Sequence, residues 1–324
     1  MPGPANRGQP LRFGVALPNL GFGLDARRAR QHRDLVLAVA EQADALGFDS
    51  VWVGDHLALP TQPRRPYPYS TDGSFLPSDS PLLDPIATIA VVAGRTRRVK
   101  LGFGVLVAPY RHPLVAAKLL STIDVLSDGR LILGVGVGWM PEEFAATGAD
   151  FQRRGAMTDE WVRFVRETWT ADEPEFHGDF YHLSGMSVLP KPLQERVPIW
   201  IGGNGSRALR RAAALGDGWD ALHALPDALA PRLDELWRLC RENGRDRQEM
   251  TVSVRGGPLR LTERPDPDPA RSPLSGTPDQ VVDTLRAYQA LGVGNVVLGI
   301  DNKTRASMLD SMERFCREII PAFR

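Results

Sequence analysis

The sequence predicts an α/β fold of the (β/α)8 kind, a TIM barrel with insertion segments at its C-terminal mouth. Three observations lead there. Short apolar runs alternate with amphipathic stretches of helical period along the chain, the alternation completes eight times, and no second composition regime interrupts it. The 324 residues therefore read as one domain, residues 1–324, since such barrels often run past about 250 residues.

The first predicted strand is Leu11–Pro18. Leu35, Val39, Ala43 and Leu46 then fall at helical spacing, closed by Gly47. The second strand is Asp49–His56. Asp84-Pro85 reads as an N-cap with proline at the first helical position, opening a helix through Ala93. Val99–Val107 is the third strand, and Ala116, Leu119, Ile123 and Leu126 are the predicted buried stripe of the next helix. Leu131–Gly138 is the fourth strand, before a helix carrying Met157, Trp161, Phe164 and Thr168. Pro198–Gly203, Trp219–His223, Met250–Gly256 and Asn295–Ile300 are the remaining strands. The helices after them are Ser206–Leu215, the Leu229–Cys240 stripe, the Val281–Leu291 stripe, and a last one with Met308, Met312, Phe315 and Ile319. Connections in such folds are short, so three long ones stand out. These are 57–83, a candidate lid; 172–198, a hairpin about His177-Gly178-Asp179; and the acidic, Pro-rich 262–277.

Composition excludes several functions. Lys+Arg and Asp+Glu both number 39, and the Arg27-Arg28 and Arg64-Arg65 pairs form no basic stripe, so nothing points to nucleic acid. Cys240 and Cys316 have neither metal-ligand nor disulfide spacing and read as small buried hydrophobes. Met1–Pro10 has no apolar signal core and no run approaches a membrane span, which leaves the cytoplasm as the expected compartment.

Chemistry concentrates at strand ends. Gly102 and Gly104 in one strand, and Gly134, Gly136 and Gly138 in the next, share a face by the period of two. They read either as a recess for a planar ring or as tight barrel packing. Gly202-Gly203-Asn204-Gly205-Ser206 leaves a strand and enters a helix, so its backbone N–H groups suit a phosphate. The stretch from Gly203 to Ala208 also fits G-x-G-x-x-A, with Asp220 near the acidic position, which admits a nicotinamide-binding reading; a lone fingerprint after the fifth strand carries little weight. Asp55-His56 ends the second strand, and histidine suits proton transfer near neutral pH. Trp139 ends the fourth strand, where it can flank a ring. Glu142 and Glu143 after it are read as favouring a helix N-terminus through its dipole.

The stretches VWVGDHLALP, LGFGVLVAPYRHPLVAAKLLSTIDVLSDGRLILGVGVGWMPEEF, FHGDFYHLSG and PIWIGGNGSRALRRAAALGDGW resemble the luciferase-like family, in particular its deazaflavin-dependent branch. The resemblance spans roughly residues 11–220; beyond them only the βα rhythm matches. It implies a barrel, usually a homodimer, with a cofactor across the strand ends. It further implies that Asp55, His56, Gly138 and Trp139 line the cofactor, with His56 against its ring and assisting proton transfer. A cis peptide at Gly104–Val105 would back the ring, and the loop Gly202–Ser206 would take the phosphate. Relatives that act on sugar phosphates carry a catalytic Glu where Trp139 stands, which argues against that substrate. The function implied is hydride transfer between coenzyme F420 and a small organic substrate. The alternatives are an FMN-dependent monooxygenase and a barrel that binds flavin without turnover.

Overall fold

The computed structural model describes residues 10–21, 29–70, 72–268, 272–300 and 304–324. Residues 1–9 and the Arg27-Arg28 pair lie outside the described residues.

In chain order the elements begin with β1 (Arg12–Ala16), α1 (Ala29–Leu46), β2 (Ser50–Val53), α2 (Pro85–Arg95), β3 (Lys100–Phe103) and β4 (Leu106–Val107). Next come α3 (Pro113–Leu126), β5 (Leu131–Gly136), α4 (Pro141–Thr147) and α5 (Arg154–Thr170), then a hairpin of β6 (Phe176–His177) and β7 (His182–Leu183). The chain continues through β8 (Ile199–Gly202), α6 (Ser206–Leu215), β9 (Gly218–Leu222), α7 (Pro226–Glu242) and β10 (Thr251–Leu261). It ends with β11 (Ser275–Gly276), α8 (Pro278–Ala290), β12 (Asn295–Ile300) and α9 (Arg305–Glu318). The parallel pairings β1–β2–β3–β5–β8–β9–β10–β12 return to β1, so the sheet closes into the barrel the alternation predicts.

Local sequence explains most element ends. Asp84 Oδ1 accepts the Ala87 N–H at 2.9 Å, capping α2 with Pro85 inside its first turn. Gly47, at φ +79°, ends α1 in the left-handed conformation that glycine adopts at no steric cost.

Three expectations need correction. The third barrel strand is not continuous: it breaks after Phe103 and resumes at Leu106, around a cis peptide joining Gly104 to Val105. The buried stripe of α3 is out of phase with the predicted one. Leu119 and Leu126 are 42% and 72% exposed, whereas Ala117, Leu120 and Asp124 turn inward with Ala116 and Ile123. Asp124 draws that face in because it accepts the backbone N–H groups of Leu131, Leu193 and Gln194. The seventh strand also runs on to Leu261, past an irregularity between Arg255 and Pro258, to pair with β11.

The strand glycines do not form one bare recess. Low in the barrel, Trp52 stacks on Trp200 with centroids 5.2 Å apart, and Ile132 and Val297 complete this plug. A Cβ on Gly14, Gly102 or Gly218 would fall 2.3–2.6 Å from one of these indoles. Higher up, a Cβ on Gly134 would meet the Phe103 carbonyl oxygen at 1.9 Å, and one on Gly136 or Gly202 would meet a Val105 methyl at 2.3 or 2.5 Å. The glycines therefore admit two indoles below and the bulge at Val105 above, which is the tight-packing alternative for most of them.

Candidate active site

The strands end at a cleft of about 360 Å³ whose walls include Gly54–His56, Gly104, Val105, Gly136–Trp139 and Gly202–Gly205. The side chains of Tyr67, Tyr69 and Phe75 reach it from the 57–83 segment. A larger cavity, about 610 Å³, opens at the other end around Arg12, Lys100 and Asn295, the strand N-terminal end that serves stability rather than chemistry in such barrels.

His56 is buried, and its Nδ1 lies 2.8 Å from Glu143 Oε2. Glu143, only 2% exposed, also accepts the Tyr110 hydroxyl at 2.9 Å and the backbone N–H groups of Leu57 and Ala58 at 2.5 and 3.3 Å. Burial alone would raise its pKa. The His56 bond and charge, the Leu57 N–H and the Tyr110 hydroxyl outweigh burial and hold the carboxyl below its ordinary value. Against an anionic acceptor Nδ1 must be the donor, so neutral His56 carries its proton there and keeps Nε2 as a free acceptor. Nε2 has no protein partner among the described residues. The helix-dipole reading of Glu143 is thus corrected: α4 turns its first-turn carboxylate inward to hold both the histidine and the start of the 57–83 segment. Glu142 instead accepts the Arg64 N–H at 2.6 Å.

Asp55 is tied up within the protein. It takes a bidentate pair from Arg111, at 2.6 and 3.0 Å, and the Val107 N–H at 2.9 Å. Arg111 also reaches Asp84 at 2.9 Å, and these two carboxylates outweigh burial and raise its pKa. Asp55 therefore fixes β4 and the bulge beside His56, and offers the cleft backbone rather than a free carboxylate.

An aromatic box covers the cleft. Phe75 lies 4.7 Å from both His56 and Tyr67, and Trp139 lies 5.2 Å from Tyr67, 5.5 Å from Phe75 and 6.0 Å from His56 between ring centroids. The Trp139 Nε1–H is buried without a partner among the described residues. The Tyr67 phenol, pushed up to about 12 chiefly by burial, stays protonated. Gly138, at φ +76°, turns the chain from β5 into this wall.

Opposite His56, the loop after β8 is held from behind. Asn204 exchanges two hydrogen bonds with the Leu222 backbone, at 2.8 and 2.9 Å, and Trp219 Nε1 donates to the Gly203 carbonyl at 2.8 Å. Gly203, at φ +113°, spends its N–H on the Asp220 carbonyl at 3.4 Å, so it is not a free donor. The N–H groups without a partner among the described residues begin at Asn204 and run through Gly205 and Ser206 into the first turn of α6. The Asn204 side chain is the clamp, not a ligand group.

Sequence reasoning did not single out Arg255. From β10 it enters the barrel, bonds Asp220 Oδ2 through Nε at 2.7 Å, lies 5.2 Å over the Trp52 ring and lines the cleft. Its Nη2 is buried without a partner among the described residues, against Gly104, where a Cβ would fall 1.4 Å away. Asp220, fully buried beside it, cannot serve as the acidic residue of a dinucleotide fingerprint, which removes the nicotinamide reading.

Comparison with known proteins agrees with this geometry. A family model described as luciferase-like monooxygenase matches residues 11–266. The F420-dependent glucose-6-phosphate dehydrogenase of Amycolatopsis mediterranei is 34% identical over 212 residues, covering 63% of this chain and 59% of that protein. An uncharacterised protein of Mycobacterium tuberculosis is 35% identical over 210 residues, 64% of this chain and 72% of its own. Among solved structures, monooxygenase RslO1 from Streptomyces bottropensis superposes with a TM-score of 0.79 at 22% identity, covering 97% of this chain and 100% of that one. An F420-dependent secondary alcohol dehydrogenase gives 0.77 at 20%, covering 97% and 99%. At these identities the structural matches speak for the fold alone. Barrel, cleft and family model together place this chain in the luciferase-like monooxygenase family.

Proposed function

We propose that this chain is an oxidoreductase that transfers hydride between a deazaflavin of the F420 type and a small organic substrate bound under the aromatic box. The observation that carries the reading is the His56–Glu143 pair at a cleft whose opposite wall is a loop of free backbone N–H groups. The residues fit such a cofactor on their own evidence. The bulge at Val105 fills the space left by Gly136 and Gly202, giving an apolar floor, and the Arg255 guanidinium beside it has N–H groups to spare. Asn204, Gly205 and Ser206 would take the phosphate, and Val105, Gly138 and Trp139 would flank the ring.

When bound, a deazaflavin supplies a carbon centre that accepts or gives hydride and reacts poorly with oxygen. The protein manages the proton. His56 Nε2 takes the proton of a substrate hydroxyl as its carbon is oxidised, or returns it to a carbonyl oxygen in reverse, and Glu143, bonded to the Nδ1–H, steadies the resulting imidazolium. Phe75, Tyr67 and Trp139 exclude water and favour an apolar substrate body. The relative that bears an F420-dependent activity in its name supports the cofactor, and Trp139 in place of a strand-end Glu argues against its sugar phosphate.

The test is an anaerobic absorbance assay of F420 reduction, and of its reverse, across a panel of small alcohols and ketones. Turnover without oxygen is expected. Product formation only with reduced FMN and oxygen would replace this reading with the monooxygenase one.

A further inference from the structure

The chain has zero formal net charge, and many of its arginines are matched to acids: Arg111 with Asp55 and Asp84, Arg211 with Asp159, Arg255 with Asp220. Three at the rim of the cleft are not. Arg65 on the 57–83 segment, Arg154 at the start of α5 and Arg207 on the first turn of α6 form no ion pair among the described residues. They nevertheless converge. Arg65 and Arg154 lie over the same Phe151 ring, at 5.1 and 3.9 Å from its centroid. Arg207 lines the cleft beside the free N–H groups of Gly205 and Ser206. Among the described residues the hydrogen bonds of Arg154 go to carbonyl oxygens, Phe151 at 2.6 Å and Gly138 at 3.3 Å.

Like charges gathered without counter-charge repel, and the strain falls on the most buried of the three. Burial, then the charges of Arg65 and Arg207, lower the pKa of Arg154. Stacking on Phe151 accounts for two of the guanidinium positions but supplies no negative charge. An anion would, and the first phosphate of a bound cofactor is already provided for by the loop before α6.

We propose that Arg65, Arg154 and Arg207 form a second anion site, for a ligand tail carrying carboxylates or phosphates beyond the phosphate held at Asn204–Ser206. The inference rests on the cofactor reading above and sharpens it. FMN ends at one phosphate, whereas the F420 tail continues into a chain of glutamate carboxylates, so the rim selects the longer polyanion. Arg65 stands on the 57–83 segment and lines a neighbouring cavity with Tyr67, Phe75 and Trp139.

The test compares the parent with Arg65→Gln/Arg207→Gln, whose two exposed side chains form no ion pair among the described residues, Arg65 touching the Phe151 ring. Arg65→Lys/Arg207→Lys serves as the charge-retaining control. Probes are F420, FMN, riboflavin and a tri-glutamate competitor, titrated at low and high salt, with melting temperature as the folding control. The Gln variant is expected to lose about tenfold or more in F420 affinity, or 1.4 kcal/mol, while FMN changes by less than about threefold. The Lys variant keeps most of the affinity. Tri-glutamate displaces F420 from the parent, and high salt weakens F420 more than FMN. Unchanged F420 affinity in the folded Gln variant, or equal losses for F420 and FMN, overturns the site while leaving the cofactor reading intact. A parent that binds no F420 rejects the cofactor reading and this inference with it.

Discussion

Glu143 shows how much one residue's role depends on what surrounds it. A glutamate in the first turn of a helix is favourable to the dipole in any protein, and nothing in M-P-E-E-F separates Glu143 from Glu142. Only the closed barrel brings α4 against the end of β2, where one carboxylate meets the imidazole and two backbone N–H groups. His56 was legible as a candidate because its position, the last residue of a strand run, already implies the mouth. Replacing His56 by Ala is expected to slow hydride transfer by about 10²–10⁴, measured by anaerobic stopped-flow; a loss below about threefold would make it structural. Glu143→Gln should disturb the histidine's proton: nitrogen NMR of the parent should show the Nδ1–H form, and the variant a mixture. The variant also has a signature in stability. A carboxyl whose folded pKa is lowered contributes stability above its unfolded value of about 4.3, and this is lost as pH falls through the folded one. The parent's melting temperature should therefore exceed that of Glu143→Gln near neutral pH, with the gap closing in acid.

Among the elements, the strands were readable and their interiors were not. Apolar runs bounded by turn signals locate all eight, because strand and helix periods differ strongly. What fills the space over a strand glycine is decided by other strands: Trp52 answers Gly102, and Val105 answers Gly136 and Gly202. The phase of α3 failed for a related reason, since leucines at 119 and 126 outscore a buried aspartate in any apolar count while Asp124 is the residue with partners inside. The loop before α6 was legible as a backbone cradle but too broadly, because the use of the Gly203 N–H by β9 is tertiary. Gly205 gives the clean test. Its φ is −83° and nothing lies within 4 Å of the position of a Cβ. Gly205→Pro removes an N–H with little steric cost. The variant should lose about 1.5–3 kcal/mol of affinity for phosphate-bearing cofactors and none for riboflavin. Equal losses for both would mean a moved loop. Trp52→Ala, by contrast, should cost stability, about 3–5 kcal/mol, by opening the plug beneath the cleft; a melting temperature equal to the parent's would contradict the plug.

At the scale of the whole molecule, the barrel and the family are secure from sequence pattern, closure of the sheet and the family model alike. Fold does not choose among the reactions such barrels host; the site must. The central claim is that the cleft is built for a deazaflavin. Parallel titration of the purified protein with F420 and FMN tests it most directly. The account predicts F420 binding at micromolar affinity or better, about 8 kcal/mol, and weaker binding of FMN; tighter FMN binding, with oxygen consumed when reduced FMN is supplied, would contradict it.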